Sequence, residues 1–306
     1  MANSSSHELL EHTIRPGSSF YYSTLTLNNS ERKKLGVLFA LFNEWLSLRE
    51  NSSEPQVAHT ALAWWLEQVN QLGDQSNSPA THPLLQQLNF LGESPELKSF
   101  VLTRMQSIIA SFIQTPPYFE NTNSLNSYLQ NTWGDFCVIY GACLTNNLTG
   151  YKDSILIQQQ IGTTIGYYSI VKQLAGQLNK QRFLLPQSWL NEIEATQTLL
   201  VSSLKYNGTN KIKSQFLSKI CQHLESQHTK LEQLLSDDHY PLKSFNHLPA
   251  FVALKLESNL YKLTIKHGFK IFEYRLQLSP LRKLWISWRC KRHFKKQRSA
   301  KLAALD

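Results

Sequence analysis

Apolar residues recur along most of the chain with a period close to 3.6 residues, which is the spacing of one face of an α-helix. Longer stretches of this pattern occupy residues 35–45, 94–112, 124–144, 155–178, 186–199, 211–235 and 248–278. No segment shows the convincing alternation of apolar and polar residues that is typical of a β-strand. The pattern therefore predicts about ten helices in an all-α protein.

Two sequences mark the starts of helices. Ser94-Pro95-Glu96 combines an N-cap residue, a proline at the first helical position and an acid in the first turn. Ser279-Pro280 repeats the cap and the proline, and predicts a last helix that runs to about residue 300. Because the connections are mostly short, we expect one helical domain over residues 1–278 and a basic C-terminal helix over residues 279–306.

The composition supports a folded helical chain. Of its 306 residues, 42% are hydrophobic and 11% aromatic, which argues against disorder. The 12 glycines make up about 4% of the chain, below the usual ~7%, which argues against a turn-rich β-sandwich. Charged residues make up only 17%, against roughly 25% in typical soluble domains.

The net charge of +9 is distributed unevenly. Residues 262–301 contain thirteen Lys or Arg and one acid, a net of +12, whereas the remainder has 18 basic and 21 acidic residues, a net of −3. The basic character therefore belongs to the C-terminal segment. Because the body is slightly acidic and shows no nucleic-acid fold signature, we expect no nucleic-acid partner.

Several sequence signals are absent. No run reaches the ~18 apolar residues of a spanning helix, and residues 1–11 lack the basic and apolar regions of a secretory signal, so we expect a cytoplasmic protein. The four cysteines show no CxxC spacing and are expected to be reduced. The ten histidines show no metal-ligand spacing, and no GxGxxG or Walker sequence is present. We therefore predict no metal site and no nucleotide cofactor.

Three segments, in order, resemble the squalene/phytoene synthase family. The first is Ser19-Phe20-Tyr21-Tyr22, followed by Arg32 and an aromatic-rich stretch at residues 38–42. The second is Leu125-Asn126-Ser127-Tyr128 together with Gly134. The third and most specific runs from Gly162 to the sequence at 182–190, which resembles the family's Arg-x-Tyr-Leu-Pro pattern. The resemblance implies an isoprenoid-synthase-like helical bundle with a central cavity.

The same resemblance implies head-to-head condensation of two prenyl diphosphates at Mg²⁺ ions held by two Asp-rich motifs. Mg²⁺ is a hard cation that prefers anionic oxygen ligands. At the first motif, however, this chain has Leu46, Ser47 and Glu50, and at the second it has Gln173 and Gln177. We therefore predict that the magnesium site and the condensation chemistry have been lost, so that no cofactor is bound. Mg²⁺ would be needed only if remodelled ligands kept the enzyme active.

Other residues keep the family's pattern and are candidates for binding an isoprenoid or lipid. They are Ser19, Phe20, Tyr21, Arg32, Lys172, which stands where the family has Arg, and Arg182. Arg182 would meet an anionic headgroup or, alternatively, cap the C-terminal end of the preceding helix. Arg32 would face the cavity mouth or lie in a solvated first turn. The N-terminal residues would line the cavity or pack the chain onto the bundle.

Two stretches, at residues 42–44 with 63–69 and at 128–132, resemble a branch of the superfamily that assists assembly of respiratory complex I. That branch keeps the fold and has lost acidic motifs. The resemblance implies a membrane protein complex as a partner.

The C-terminal helix combines an apolar stripe, formed by Leu281, Leu284, Trp285 and Trp288, with many cations. Basic helices with Trp on the apolar side bind the interface of anionic bilayers. The candidate membrane-surface residues are Arg282, Lys283, Trp285, Trp288, Arg289, Lys291 and Arg292. Alternatively, the two Trp side chains pack against the bundle.

The sequence thus favours a non-catalytic protein, peripheral on the inner membrane face, which binds an isoprenoid or lipid or assists assembly of a respiratory complex. An active Mg²⁺-dependent prenyl diphosphate synthase and a plain interaction scaffold remain the alternatives.

Overall fold

The computed structural model describes residues 15–52, 54–73, 82–116, 118–145, 148–151, 154–205, 211–236 and 247–302. Within these ranges the chain is all-α, as predicted, with one isolated bridge between Phe119 and Pro186 and no β-strand. The helices of the N-terminal half are α1 (Ser19–Thr24), α2 (Asn29–Asn51), α3 (Pro55–Gly73), α4 (Pro83–Gln86), a 3₁₀ helix (Gln87–Glu93), α5 (Pro95–Gln114), α6 (Thr122–Leu129), a π turn (Gln130–Gly134) and α7 (Asp135–Ala142).

The C-terminal half continues with α8 (Leu148–Tyr151), α9 (Ile155–Asn179), α10 (Gln187–Glu192), α11 (Gln197–Lys205), α12 (Lys211–Ser236), α13 (Leu248–Lys266) and α14 (Pro280–Leu302). The fourteen α-helices of the described ranges exceed the predicted ten. The patterns at 124–144 and 186–199 each form two α-helices, and short helices such as α4 and α8 lie between the longer ones.

Local sequence accounts for several helix starts. Asn28 and Glu31 form a capping box at the start of α2, each satisfying a backbone N–H of the other. The predicted cap at Ser94 is confirmed, since its hydroxyl accepts the Leu97 N–H at 3.3 Å. The predicted cap at Ser279 is confirmed in the same way by the Arg282 N–H. These side chains satisfy N–H groups that have no partner within the helix.

Helix α9 is the central element of the bundle. It packs against the π turn, α7, α12 and α13, and most of its residues from Ile157 to Leu178 are buried. The π turn lies close against the two glycines on one face of α9. A Cβ at Gly162 would lie 2.1 Å from the Trp133 carbonyl oxygen, and one at Gly166 would meet the Trp133 ring at 2.8 Å. Glycine is therefore required where the two helices approach each other.

Two helices end earlier than the periodicity predicted. The pattern at 248–278 predicted one helix, but α13 ends at Lys266, where Gly268 and Phe269 adopt positive φ angles of 74° and 53°. The chain then runs without regular helix to α14, with Phe269 fully buried. Similarly, the predicted helix at 186–199 is divided into α10 and α11 by Glu194 at φ 51°. In both places a left-handed residue ends the helix although the apolar spacing continues.

Helix α14 packs on α13 and α1 through one side only. Its Ile286, Cys290 and Phe294 join a buried cluster with Tyr22, Leu248 and Val252. None of the helices that the structure describes is both long enough and apolar enough to cross a membrane. The predicted boundary at residue 278 between two domains stays a prediction.

Candidate functional site

A central cavity of about 310 Å³ lies between α1, α2, α7, α9 and α13. Its apolar wall is rich in aromatic rings, with Phe20 stacked on Phe39 at 4.5 Å between ring centroids. The apolar lining residues are Phe20, Phe39, Leu46, Trp133, Phe136, Cys137, Tyr140, Ile165, Ala250 and Ala253. Such a wall suits a hydrocarbon ligand, because a hydrocarbon gains free energy when it leaves water for apolar side chains.

One end of the central cavity is polar. Here Lys172 on α9 forms an ion pair with Glu257 on α13, with 3.2 Å between Nζ and both carboxylate oxygens. Lys172, Gln173, Glu257 and Arg275 also line a second cavity of about 350 Å³, the outer cavity, between α9, α13 and the segment after α13. The ion pair therefore stands at the junction of the two cavities.

The residues at which the resemblance would place the two Asp-rich motifs lie close together in the structure. Leu46 and Glu50 on α2 meet Gln177 on α9 around a small pocket of about 20 Å³. Burial raises the pKa of the Glu50 carboxyl to about 7, although it accepts a hydrogen bond from Gln173 and lies near three cations. Ser47 differs from its neighbours, because the helix turns it outward to an exposed position.

Arg182 holds the end of α2 against the end of α9. Its guanidinium donates to the backbone carbonyls of Arg49, Glu50 and Ser52 at 2.9–3.3 Å. The alternative prediction was that Arg182 caps the C-terminal end of the preceding helix, which is α9. The guanidinium does cap a helix C-terminus, but it is that of α2. Arg182 also lines the small pocket beside Glu50.

These donors do not fit a cluster of Mg²⁺ ions. Leu46 offers no ligand atom, the two glutamines carry no charge, and Glu50 is hydrogen-bonded to Gln173. Glu257 is held by Lys172. Over the described ranges, no three His, Cys, Asp or Glu side chains lie close enough together to hold a metal ion.

The other candidate ligand-binding residues lie in two places. Ser19, Phe20 and Lys172 line the central cavity. Tyr21 and Arg32 are placed outside it, because the turn of α1 directs Tyr21 toward the cluster under α14. The Arg32 guanidinium lies over the Tyr21 ring at 5.9 Å. Of the N-terminal candidates, Ser19 and Phe20 therefore line the central cavity, whereas Tyr21 and Arg32 contact each other outside it.

Most of the candidate membrane-surface residues lie on the outward side of α14. The exposed fractions of Trp285 and Trp288 are both 52%, so the alternative in which they pack on the bundle is not what the structure shows. Lys283 is the exception, because it lies on the inner side. Its Nζ donates to the Gly17 carbonyl and lies over the Tyr22 ring, and burial lowers its pKa.

Two residues at the polar end were not anticipated from the sequence. Arg275 lines both cavities from the segment after α13, and Glu257 reaches them from α13 itself. The sequence pattern at 248–278 predicted an uninterrupted helix, which would have carried Arg275 away from the bundle. The available signal was Gly268, which lies two residues after the last residue of α13.

Comparisons with known proteins agree with this architecture. A sequence model described as squalene/phytoene synthase matches residues 14–282. A crystal structure of a dehydrosqualene synthase in complex with ligand superposes with a TM-score of 0.74 at 12% identity, covering 97% of this chain and 100% of that one. YisP from Bacillus subtilis subsp. subtilis strain 168 superposes at 0.63 and 12% identity, covering 94% and 96%. No curated protein sequence matched the chain.

Proposed function

Because the chain belongs to the squalene/phytoene synthase family, we propose that it is a non-catalytic member that binds an isoprenoid or similar lipid in its central cavity and works at a membrane surface. One observation carries the proposal. Leu46, Gln173 and Gln177 lie around Glu50, and the resemblance would place metal-binding acids at these three positions. The aromatic cavity beside them is retained.

The ligand class follows from the two ends of the central cavity. Its wall offers the rings of Phe20, Phe39 and Phe136 to a hydrocarbon chain. Its polar end offers Lys172 and Arg275, of which Lys172 already pairs with Glu257. A single long chain with a compact polar or anionic head satisfies both ends. Such a ligand resides in membranes, which agrees with a peripheral location on the inner face, on the cytoplasmic side.

Mass spectrometry of an organic extract of the purified protein tests the proposal. We expect a long-chain isoprenoid or lipid to copurify, and to be lost when Ala253→Phe fills the cavity. Ala63→Phe, at an exposed position of α3, is the matched control and should keep the ligand. If the extract of the wild-type protein contains no lipid, the scaffold alternative replaces the proposal.

An active synthase with remodelled ligands is the second candidate, and the position of Glu50 favours it. Its carboxyl lines the small pocket next to Arg182, where one anionic metal ligand is expected. This candidate predicts Mg²⁺ binding by calorimetry and turnover of farnesyl or geranylgeranyl diphosphate, both abolished by Glu50→Gln. Turnover by the pure wild-type protein would overturn the non-catalytic proposal.

The resemblance to assembly factors of respiratory complex I extends the proposal to a role in building a membrane complex. The expected result is that deleting the gene lowers the amount of one assembled complex, and that the Ala253→Phe variant fails to restore it. If that variant restores the complex fully, assembly does not depend on a ligand in the central cavity.

A further inference from the structure

Helix α14 presents an apolar patch to solvent, which we call the α14 outer face. It consists of Leu281, Leu284, Trp285 and Trp288, whose exposed fractions are 80%, 49%, 52% and 52%. At 100° per residue these four side chains share one side of the helix. The opposite side is already occupied, since it packs on the bundle through Ile286, Cys290 and Phe294. Helix α14 is therefore already packed on the bundle, and these four side chains are exposed although the helix is in its place.

The α14 outer face is a concentrated patch and not part of a general background. The other exposed large hydrophobic residues within the described ranges lie one or two to an element (Val57, Trp64, Tyr118, Leu156, Leu199 and Tyr274). Scattered single residues of this kind are ordinary on protein surfaces. Four such residues within two turns of one helix mark an interaction surface.

The charges around this patch have one sign. The sequence of α14 contains nine Lys or Arg and no acid. Arg289 and Arg292 are exposed and lie over the rings of Trp285 and Trp288 at 5.1 and 5.4 Å. Neither guanidinium pairs with a carboxylate among the residues that the structure describes. The helix thus has Leu and Trp in its first turns and, directly beyond them, two arginines without a carboxylate partner in the described part of the chain.

We propose that the α14 outer face docks flat on an anionic lipid bilayer. Its Leu and Trp side chains would lie at the level of the headgroups, with Arg289 and Arg292 against the lipid phosphates. Tryptophan prefers the membrane–water interface because its ring is apolar and its N–H is polar. Guanidinium groups match phosphate oxygens in charge and geometry. The inference deepens the proposed function, on which its biological context rests, by naming the surface and the partner.

The charge and the apolar side chains of the α14 outer face argue against a second copy of the chain and against a nucleic acid as its partner. A second copy of the chain docking through the same face would bring two acid-free basic helices together, and like charges repel. A nucleic acid would accept the cations but leave two Leu and two Trp side chains against a charged backbone. A bilayer interface accommodates both parts of the face at once.

Co-sedimentation with vesicles tests the proposal. The full chain should sediment with mixed phosphatidylcholine–phosphatidylglycerol vesicles and much less with phosphatidylcholine alone. The variant Trp285→Ala/Trp288→Ala should lose affinity by roughly tenfold or more while keeping its unfolding midpoint, since both rings are half exposed. Trp64→Ala, which removes a 44% exposed Trp from α3, is the matched control and should bind like the wild type.

The cations give a second, independent arm. Arg289→Gln/Arg292→Gln should weaken binding roughly twenty-fivefold, since each charge near the surface contributes about fivefold, and should reduce the salt dependence. Lys211→Gln/Lys230→Gln removes two exposed cations from α12 and should leave binding unchanged.

Three results would overturn the proposal. They are failure of the wild-type protein to bind anionic vesicles, undiminished binding by the Trp double variant, and a dimer or a duplex-DNA complex that depends on the same residues. Lipid extraction of the Trp double variant separates this inference from the proposed function. A variant that keeps its copurified lipid but does not dock leaves the cavity ligand intact. A wild-type protein that docks but carries no lipid supports docking alone.

Discussion

The polar end of the central cavity and the α14 outer face both carry cations, but they use them differently. Beside the small pocket, Arg182 donates to three backbone carbonyls, and at the polar end of the central cavity Lys172 pairs with Glu257. On α14, Arg289 and Arg292 lie over the neighbouring Trp rings and pair with no carboxylate of the residues that the structure describes. The first group of charges has hydrogen-bond or ion-pair partners within the protein, whereas the second group lies on an exposed helix face. Substitutions should therefore affect stability at the cavity end and association at the α14 outer face.

The largest effect on stability is expected on the inner side of α14. Phe294 is buried and packs edge-on against Phe251, with 5.4 Å between ring centroids. Phe294→Ala should lower the free energy of unfolding by about 4 kcal/mol, because it leaves a cavity between α13 and α14. Urea unfolding measures the change. A loss below about 1 kcal/mol would mean that α14 does not pack on the bundle in solution.

Arg182→Ala comes next. It removes the charged donor from the carbonyls of Arg49, Glu50 and Ser52, and should cost about 3 kcal/mol in urea unfolding. Lys180→Ala is the control, since Lys180 donates to the Glu50 carbonyl from an exposed position and should cost under about 1 kcal/mol. Equal losses in the two variants would mean that the hydrogen bonds of Arg182 stabilise the fold no more than the surface contact of Lys180 does.

Glu50→Gln should stabilise the protein in a pH-dependent way. The folded pKa of Glu50 is raised to about 7 from an ordinary value of 4.5, so folding favours the protonated carboxyl. Ionisation therefore costs stability progressively as the pH rises from about 4.5 to 7, and the cost stays constant above 7. The Gln variant should gain about 3 kcal/mol at pH 8 and nothing at pH 4.

The difference between wild type and variant isolates Glu50, because the buried histidines titrate in both proteins. His223 and His247, whose pKa values burial lowers to about 4, contribute equally to the two curves. A stability difference that does not change with pH would indicate that Glu50 remains solvated.

Trp288→Ala should give the smallest change in stability, below about 0.5 kcal/mol, because half of the side chain is exposed. It lies on the same helix as Phe294, so the pair compares the two sides of α14 directly. A loss similar to that of Phe294→Ala would mean that Trp288 contributes to the core, and would weaken the case for an outer face.

Much of the fold could be predicted from the sequence because local signals agreed with the tertiary structure. Ser94-Pro95 and Ser279-Pro280 were sufficient to place the starts of α5 and α14. The ends of helices were harder to predict. Apolar spacing continues past Lys266, and the positive φ angles of Gly268 and Phe269 depend on Phe269 being buried by the bundle.

The candidate site was predicted in part for a similar reason. The resemblance implied that positions 46, 50, 173 and 177 lie close together, because in the family the two motifs hold the same Mg²⁺ ions. In the structure α2 and α9 bring these positions together. Arg275 was missed because its place depends on the break after α13. On α14, the pattern contained two apolar stripes, and only packing decides which one faces the bundle. The structure selects the stripe of Ile286, Cys290 and Phe294, and leaves the tryptophans outside.

The clamp made by Arg182 has a consequence for how this protein could have diverged. It grips peptide carbonyls, which every residue possesses, so the placement of the last turn of α2 does not depend on which side chains stand at 46, 47 or 50. Acids there can be exchanged for Leu or Ser without shifting the helix. The position of this turn is therefore set independently of the side chains that line the small pocket.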